Sequence, residues 1–374
     1  MLSSKSFFFL ISDVISENSA YCFLLFIAIA LNSILTELAI GSEKLKAVAV
    51  SGVLSTFVNI ALNLYLLLVL KLGLSGYFLA SIIGQLFQII YFVFALRIRK
   101  TILGKEIFRP DTESRMLAYS KPQIVNNIGW WVNNASDRYV VTWFCGVGVN
   151  GIYSVAYKIP AIINMLGGIF SQATGITVVK HFDAEDKDGF FSSTYEFYNV
   201  FMVICCSIII CLDKIIASFM FAKDFYVAWQ FVPFLVMASM FGAVSGYLGG
   251  VFSAQYAAKE FSKSTIVGAA VNVVVNFILT PFMGAIGAAF ATLISYFVIW
   301  LMRFIFVKRT MLFQIQIKKD ILAYTLLLTQ SLVMSSGYFT EGCLYITEVT
   351  LSILIVTIYR KTVICLVKKV LRKI

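Results

Sequence analysis

The chain has 374 residues, of which 60% are hydrophobic and only 13% charged, with a net charge of +11 and a mean hydropathy of +0.89. A water-soluble protein carries about 25% charged residues, so half the usual polar surface is missing, and a bilayer is the solvent that fits. With 23 Gly, 5 Pro and 7 scattered Cys, collagen-like, disordered and disulfide-scaffold classes are excluded as well.

Runs of about 18 or more apolar residues predict an all-α polytopic membrane protein. Eleven spans are expected in chain order, at 20–40, 47–70, 76–96, 122–145, 151–178, 197–220, 227–251, 264–283, 286–307, 320–337 and 343–359. Before them, Phe7 to Ile11 is too short for a secretory signal and Asp13 interrupts it.

The basic residues write the orientation. Alternate gaps hold Lys44 and Lys46; Arg99, Lys100, Lys105, Arg109, Arg115 and Lys121; Lys180 and Lys187; Lys259 and Lys263; Lys308, Arg309, Lys318 and Lys319; and the tail from Arg360 to Lys373. The other gaps carry little beyond Lys71, Lys214 and Lys223. The positive-inside rule makes the rich gaps and the C-terminus cytoplasmic, and this distribution in short gaps speaks against a nucleic-acid partner.

An internal repeat runs through the chain. Val58, Asn59, Asn63, Gly76, Ala80, Ser81 and Ile83 align with Val271, Asn272, Asn276, Gly287, Ala291, Thr292 and Ile294, allowing a two-residue gap. The second and third spans match the eighth and ninth, so the repeat unit is six helices in parallel duplication. A complete first unit then calls for three further helices ahead of residue 20. The expected domains are 1–19, the remnant of a missing helix; 20–118, a partial N-terminal lobe; 119–310, a six-helix lobe; and 311–374, two extra helices and a basic tail.

The fourth span concentrates polarity. On a helix, Asn126, Trp130, Asn133 and Asp137 form one stripe, and Asn127, Trp131, Asn134 and Arg138 the next. Such a band must face protein or water, because an Arg near the bilayer centre costs at least about 2.5–3.5 kcal/mol. The fifth span adds Tyr153, Tyr157, Lys158, Asn164, Ser171 and Gln172. Counted from a turn near Gly148 at about 1.5 Å per residue, Asp137, Arg138 and Lys158 share one depth. Asp137 can neutralise only one of the two cations. The trio is therefore either an interhelical ion pair or part of an anion-binding cavity with one positive charge to spare.

Other signals have structural readings. The Asn pairs of the repeat read as interhelical hydrogen bonding, and Gly242, Ser245, Gly246, Gly249 and Gly250 as close packing or a hinge. Pro160, Pro233 and Pro281 read as kinks. The loop His181 to Asp188 reads as a solvated turn, Cys205, Cys206 and Cys211 as buried thiols, and one His makes no metal site. There is no P-loop, paired-Cys motif or nucleophile elbow, and no long external loop to hold catalytic carboxylates. No cofactor is expected.

Ser120, Lys121 and Pro122, the run Asn133 to Arg138, the segment GIYSVAYKIP at 151–160 and Gly287 to Thr292 resemble the polysaccharide exporter family. These are the Wzx-type O-antigen flippases of the MOP (multidrug, oligosaccharidyl-lipid, polysaccharide) superfamily, and the similarity extends over essentially the whole chain. The resemblance implies a MATE-like fold of two six-helix lobes around a central cavity, with two further C-terminal helices. The present spans would be its fourth to fourteenth, leaving the first lobe incomplete.

The implied function is translocation of an undecaprenyl-diphosphate-linked oligosaccharide, an O-antigen or capsule repeat unit, across the bacterial inner membrane by alternating access. Arg138 and Lys158, with Asp137 beside them, would attract the diphosphate. Asn126, Asn127, Trp130, Asn133, Asn134 and Tyr157 would contact sugar. Membrane lipids, a polysaccharide polymerase and chain-length machinery would be partners. The alternatives are a cation-coupled multidrug exporter of the same fold, a membrane glycosyltransferase or polymerase, and an inactive truncated remnant.

Overall fold

The computed structural model describes residues 18–96, 110–180, 182–336 and 340–364. The remnant expected at 1–19 falls almost wholly outside them, as do Arg99, Lys100, Lys105, Arg109, His181 and the end of the basic tail. Among the described residues the chain is helical and contains no strand. The helices fall into two compact units, Met1–Arg109 and Pro110–Ile374.

The first unit contains α1 (Ser19–Gly41), α2 (Leu45–Leu64, prolonged by a π turn at Tyr65–Val69) and α3 (Gly73–Ala95). Both α1 and α2 pack on α3. Polar side chains make the joints: the Asn32 amide of α1 donates to Gln85 and Gln88, and Gln88 donates to Ser51 of α2 at 3.2 Å. Most apolar side chains point outward, with Val53 71% and Phe57 72% exposed, as befits helices solvated by acyl chains.

The second unit runs α4 (Pro110–Cys145), α5 (Val147–Ala156), α6 (Pro160–Lys180), α7 (Phe190–Cys211), α8 (Asp213–Met220), a 3-10 helix (Lys223–Gln230), α9 (Val232–Ala254), α10 (Ala258–Met283), α11 (Ala285–Thr310), α12 (Ile317–Ser336) and α13 (Glu341–Ile358). Its core is α9, which packs on α6, α7, α11 and α12. Small residues let that happen: a Cβ on Gly242 would stand 2.7 Å from the Tyr296 ring, and one on Gly249 would stand 2.5 Å from the Phe261 ring. The close-packing reading of this run therefore describes those two positions. Cys205, Cys206 and Cys211 are free thiols on α7.

Among the described residues, eight helices are long and apolar enough to cross a membrane, or nine if α5 and α6, bent by 43°, are one broken span. Two of the eleven expected spans fall short through polarity and not through length. The first is α4, which carries the Asn-rich stripes and begins at Pro110, twelve residues before the expected start. The second is α12, which opens with Lys318, Lys319 and Asp320. The span expected at 197–220 is instead α7 from Phe190 to Cys211, followed by the separate amphipathic helix α8.

The prolines act differently from one another. Pro160 lacks an N–H and disfavours helix at Ile159, so the chain breaks at 157–159. Pro233 merely occupies the first turn of α9, and Pro281 sits in the last turn of α10. The acidic loop is more organised than a solvated turn. Asp186 accepts the N–H groups of Phe191 and Ser192 at 2.9 Å, capping α7, while the N–H groups of Lys187 and Glu185 hold the Asp183 carboxyl below its usual range.

The basic gaps of this unit gather at one end. Gln255 bonds Thr310 at 3.1 Å, the Leu312 N–H reaches the Ala184 carbonyl at 2.9 Å, and the Ser262 hydroxyl reaches the Pro122 carbonyl. Lys121, Lys187, Lys259, Lys263, Lys308 and Arg309 are thereby brought to the same side.

Candidate functional site

Pro at the first position and Asp111 and Glu113 in the first turn suit the start of α4, where backbone N–H groups are unpaired and the helix dipole is positive. Further along, the two stripes part company. Asn126, Asn133 and Asp137 are buried, whereas Asn127, Trp131, Asn134 and Arg138 are exposed.

The buried stripe is bonded into neighbouring helices. Asn126 accepts from Thr265 of α10 at 2.6 Å, the Asn133 amide is in hydrogen-bond contact with the Ser295 hydroxyl of α11, and Ser136 donates to Asn272 of α10 at 2.8 Å. Asp137 accepts from the hydroxyls of Tyr153 at 2.9 Å and of Tyr157, from the Arg138 N–H at 2.9 Å, and from Thr292 at 3.4 Å. The carboxylate is therefore hydrogen-bonded by hydroxyls and an amide; of the two expected cations, Arg138 acts on it through charge alone, without a salt bridge. Four helices, α4, α5, α10 and α11, meet in this knot. The repeat residues Asn272 and Thr292 belong to it, joined at 3.4 Å, as interhelical hydrogen bonding predicts.

The break before Pro160 leaves Tyr157 half-buried and Lys158 exposed. The Arg138 guanidinium lies 5.2 Å from the Tyr157 ring centre. No carboxylate among the described residues of this unit is in ion-pair reach of Arg138 or Lys158; the pair found there is the surface contact of Lys187 with Glu185. The ion-pair alternative is therefore not what the structure contains.

One turn before Arg138, a cavity of about 280 Å³ opens between α4, α6, α9 and α11. Its polar groups are Asn134, Asn164 and Ser171, with Trp130 and Tyr296 as aromatic walls and Gly168 and Gly246 leaving the backbone bare. Tyr296 donates to Asn134 at 2.8 Å, and its ring centre lies 5.4 Å from that of Trp130. The volume is at the small end of ligand pockets, which run from about 300 to 1,000 Å³. An aromatic wall with convergent amides is the composition that stacks and hydrogen-bonds a single polar ring.

Behind Trp130 lies a residue that the sequence reading does not single out. Arg303 is fully buried, its guanidinium donating to Ser264 at 3.0 Å, the Ser245 carbonyl at 2.9 Å and Thr265 at 2.8 Å. It lies 4.0 Å from the Phe261 ring centre and 5.7 Å from that of Trp130. The signal is there to be found: Arg303 is a lone charge inside the apolar run 286–307, the criterion that singles out Arg138.

The chain is similar to known transporters. A family model described as "Polysaccharide biosynthesis protein" matches residues 2–176, and no curated protein matches the sequence. Among solved structures, the lipid II flippase MurJ in an inward closed conformation is 17% identical with a TM-score of 0.58, covering 90% of this chain and 72% of that one. MATE in a straight conformation is 15% identical with a TM-score of 0.63, covering 77% and 68%. MATE in a bent conformation is 13% identical with a TM-score of 0.63, covering 84% and 70%. The fold is that of MurJ and the MATE transporters. This is a polytopic membrane protein.

Proposed function

We propose that the chain is a flippase that moves an undecaprenyl-diphosphate-linked oligosaccharide, an O-antigen or capsule repeat unit, across the bacterial inner membrane. The observation that carries this reading is the exposure of Arg138 and Lys158 with no salt bridge to a carboxylate among the described residues, beside a buried acid already occupied by hydroxyls. Two such cations suit a diphosphate, with Arg supplying a bidentate fork and Lys a point charge. The cavity one turn away takes a sugar ring against Trp130, with Asn134, Asn164 and Ser171 bonding its hydroxyls. The match to a polysaccharide biosynthesis family over 175 of the 374 residues and the likeness to MurJ support the same direction.

In this reading Asn126, Asn133 and Asp137 hold the site in place, while Asn127, Trp130, Asn134, Arg138, Tyr157 and Lys158 face the substrate. The lobes are 20–118 and 119–310, with 311–374 as accessory helices. The basic end and the C-terminus are cytoplasmic, and a polymerase and chain-length machinery receive the product. The chain moves its substrate and does not transform it.

Binding to polyprenyl diphosphate, compared with the monophosphate and the free alcohol, tests this reading with the chain in lipid nanodiscs. Arg138→Gln and Lys158→Gln should each weaken diphosphate binding at least about tenfold, the equivalent of one charge-assisted hydrogen bond. Equal affinity for diphosphate and alcohol, or unchanged affinity in both variants, would overturn it. Preferential binding of an organic cation would favour a multidrug exporter of the same fold.

A further inference from the structure

Away from α4, two acids lie inside the second unit with little to hold them: Gln330 of α12 bears on the carboxyl of Glu348, and Lys214 on that of Asp213. Asp213 opens α8, just past the end of α7, and Glu348 lies on α13. Both are fully buried, and none of their four carboxylate oxygens has a hydrogen-bond partner among the described residues. Asp213 lies within the electrostatic reach of Glu348, at the end of the unit opposite Lys308 and Arg309.

The surroundings are rich in oxygen and poor in positive charge. Ser207 of α7 donates to Gln330 of α12 at 3.0 Å, and its oxygen stands 2.9 Å from the hydroxyl of Ser352 of α13. Gln330 returns bonds to the Ser207 carbonyl at 3.2 Å and to Ser352 at 3.1 Å. This knot ties α7, α12 and α13 together, and through Gln330 and Ser352 it also reaches the Glu348 backbone carbonyl. Lys214 is the one cation among the described residues acting on Asp213, and its Nζ sits over Trp229, 4.5 Å from the ring centre. Cys211 of α7, Tyr345 and Glu341 of α13, and Tyr226 of the 3-10 helix are the other titratable groups in electrostatic contact with the pair or with Tyr345 beside it.

Two unpartnered carboxylates buried together in low dielectric repel each other and have both lost their hydration. The charge that would relieve them must come from outside the protein. We infer that Asp213 and Glu348 form a binding site for one monovalent cation, a proton or an alkali metal ion, wedged between α7, α8 and α13. A divalent metal is a poor fit: calcium takes six to eight oxygens, and no third acid, His or Cys joins the two among the described residues. Burial drives the Asp213 carboxyl well above its usual range, which agrees with a bound proton when no metal ion is present.

The sign of the effect on stability follows by linkage. A carboxyl raised in the folded state binds more protons there than in the unfolded chain, so stability falls as pH rises from the usual carboxylate range toward the raised value. The test is the melting temperature of the full chain in nanodiscs, read across pH 5 to 8.5 in choline chloride, and again in sodium, potassium or lithium chloride at equal ionic strength. The wild type should lose at least about 3 °C as pH rises in choline. Recovery of that loss by an alkali ion identifies a metal ion as the occupant, and no recovery identifies the proton. The double variant Asp213→Asn, Glu348→Gln, which keeps the shape and removes both charges, should lose any alkali-ion dependence and most of the pH dependence, the remainder belonging to other buried carboxyls such as Asp320, and match or exceed the wild type at pH 8.5 in choline. Should it not fold, the single variants Asp213→Asn and Glu348→Gln decide, each expected to lose at least half the dependence. A wild type indifferent to pH and to alkali ions, or variants that follow the wild-type profile, would overturn the site.

Discussion

Ser295 of α11 donates its hydroxyl to the carbonyl of Gly268 on α10 at 2.8 Å. At the matching place in the repeat the roles are exchanged, and Ser55 of α2 donates to Gly84 of α3, also at 2.8 Å. The helix that lacks a side chain lets the other approach, and the hydroxyl fills the space with a hydrogen bond. This is how helices associate where lipid gives no hydrophobic drive.

That contact predicts an asymmetric response to mutation. A Cβ on Gly268 would stand 2.2 Å from Cγ1 of the buried Ile299, so Gly268→Ala should destabilise the second unit by about 1–3 kcal/mol through overpacking. At Gly84 the nearest atoms are those of Asn59 at 3.2 Å, and Gly84→Ala should cost less. Thermal unfolding of the purified variants compares the two; a larger loss at Gly84 would contradict the packing described.

Asp137 should matter for folding before it matters for transport. Asp137→Ala strands the hydroxyls of Tyr153 and Tyr157 and an amide in a buried knot, at about 1–3 kcal/mol for each group left unpaired. Membrane levels of that variant should fall sharply. Asp137→Asn keeps the shape and one acceptor oxygen and should accumulate better. Equal levels of both variants and the wild type would show that the knot carries little stability.

The two stripes of α4 should separate in a labelling experiment. In a Cys-free background, Cys at 127, 134 and 138 should react with a water-borne thiol reagent, and Cys at 126 and 133 should not. Silence at all five, with a reactive control at Lys187, would mean that the exposed stripe faces lipid and not water, and the substrate site would have to be sought elsewhere.

Arg303 gives an outcome that charge counting alone would miss. Its partners keep other bonds when it is removed, since Thr265 donates to Asn126 and Ser264 to the Phe261 carbonyl. Replacing a buried ion with an apolar residue of similar volume is often neutral or stabilising by about 1–4 kcal/mol, so Arg303→Met should fold. Arg303→Lys keeps the buried charge and loses the planar fork, and should be the less stable of the two. A melting temperature for the Lys variant above that of the Met variant would show that charge, and not geometry, is required there.

Sidedness has its own check. A reporter active only in the cytoplasm should be active when fused after Lys187 and silent when fused after Val147. The reverse pattern would invert the proposed topology.

Much of this architecture is written in the sequence because a bilayer forces long apolar helices, and long apolar runs are easy to count. The repeat residues Asn59 and Asn272 and the two stripes of α4 are legible for the same reason: polarity is rare enough to stand out. What stays hidden depends on tertiary contacts. Periodicity separates the stripes, but only α10 and α11 decide that Asn133 is inside and Asn134 outside. The beginning of α4 escapes a search for apolar runs because its first turns are polar. The cavity draws on Gly168, Gly246 and Tyr296 from three other helices, and no spacing along one chain segment announces such a meeting.

The interruption before Pro160 has a mechanical meaning. Its backbone bonds are local, from Lys158 to Val155, Ala161 to Tyr157 and Ile162 to Ile159, and none ties the body of α5 to the body of α6. A change of angle at this joint would strain the bond from Ala161 to Tyr157 and leave the ladders of both helix bodies intact. On one side α5 travels with α4, through Tyr157 and its tether to Asp137; on the other, α6 travels with α9. Trp130 and Asn134 ride on the first arm, and Asn164 and Ser171 on the second. The two arms form opposite walls of one space, so the angle between them bears on its width, and an occupant that bridges the walls would resist a change in that angle.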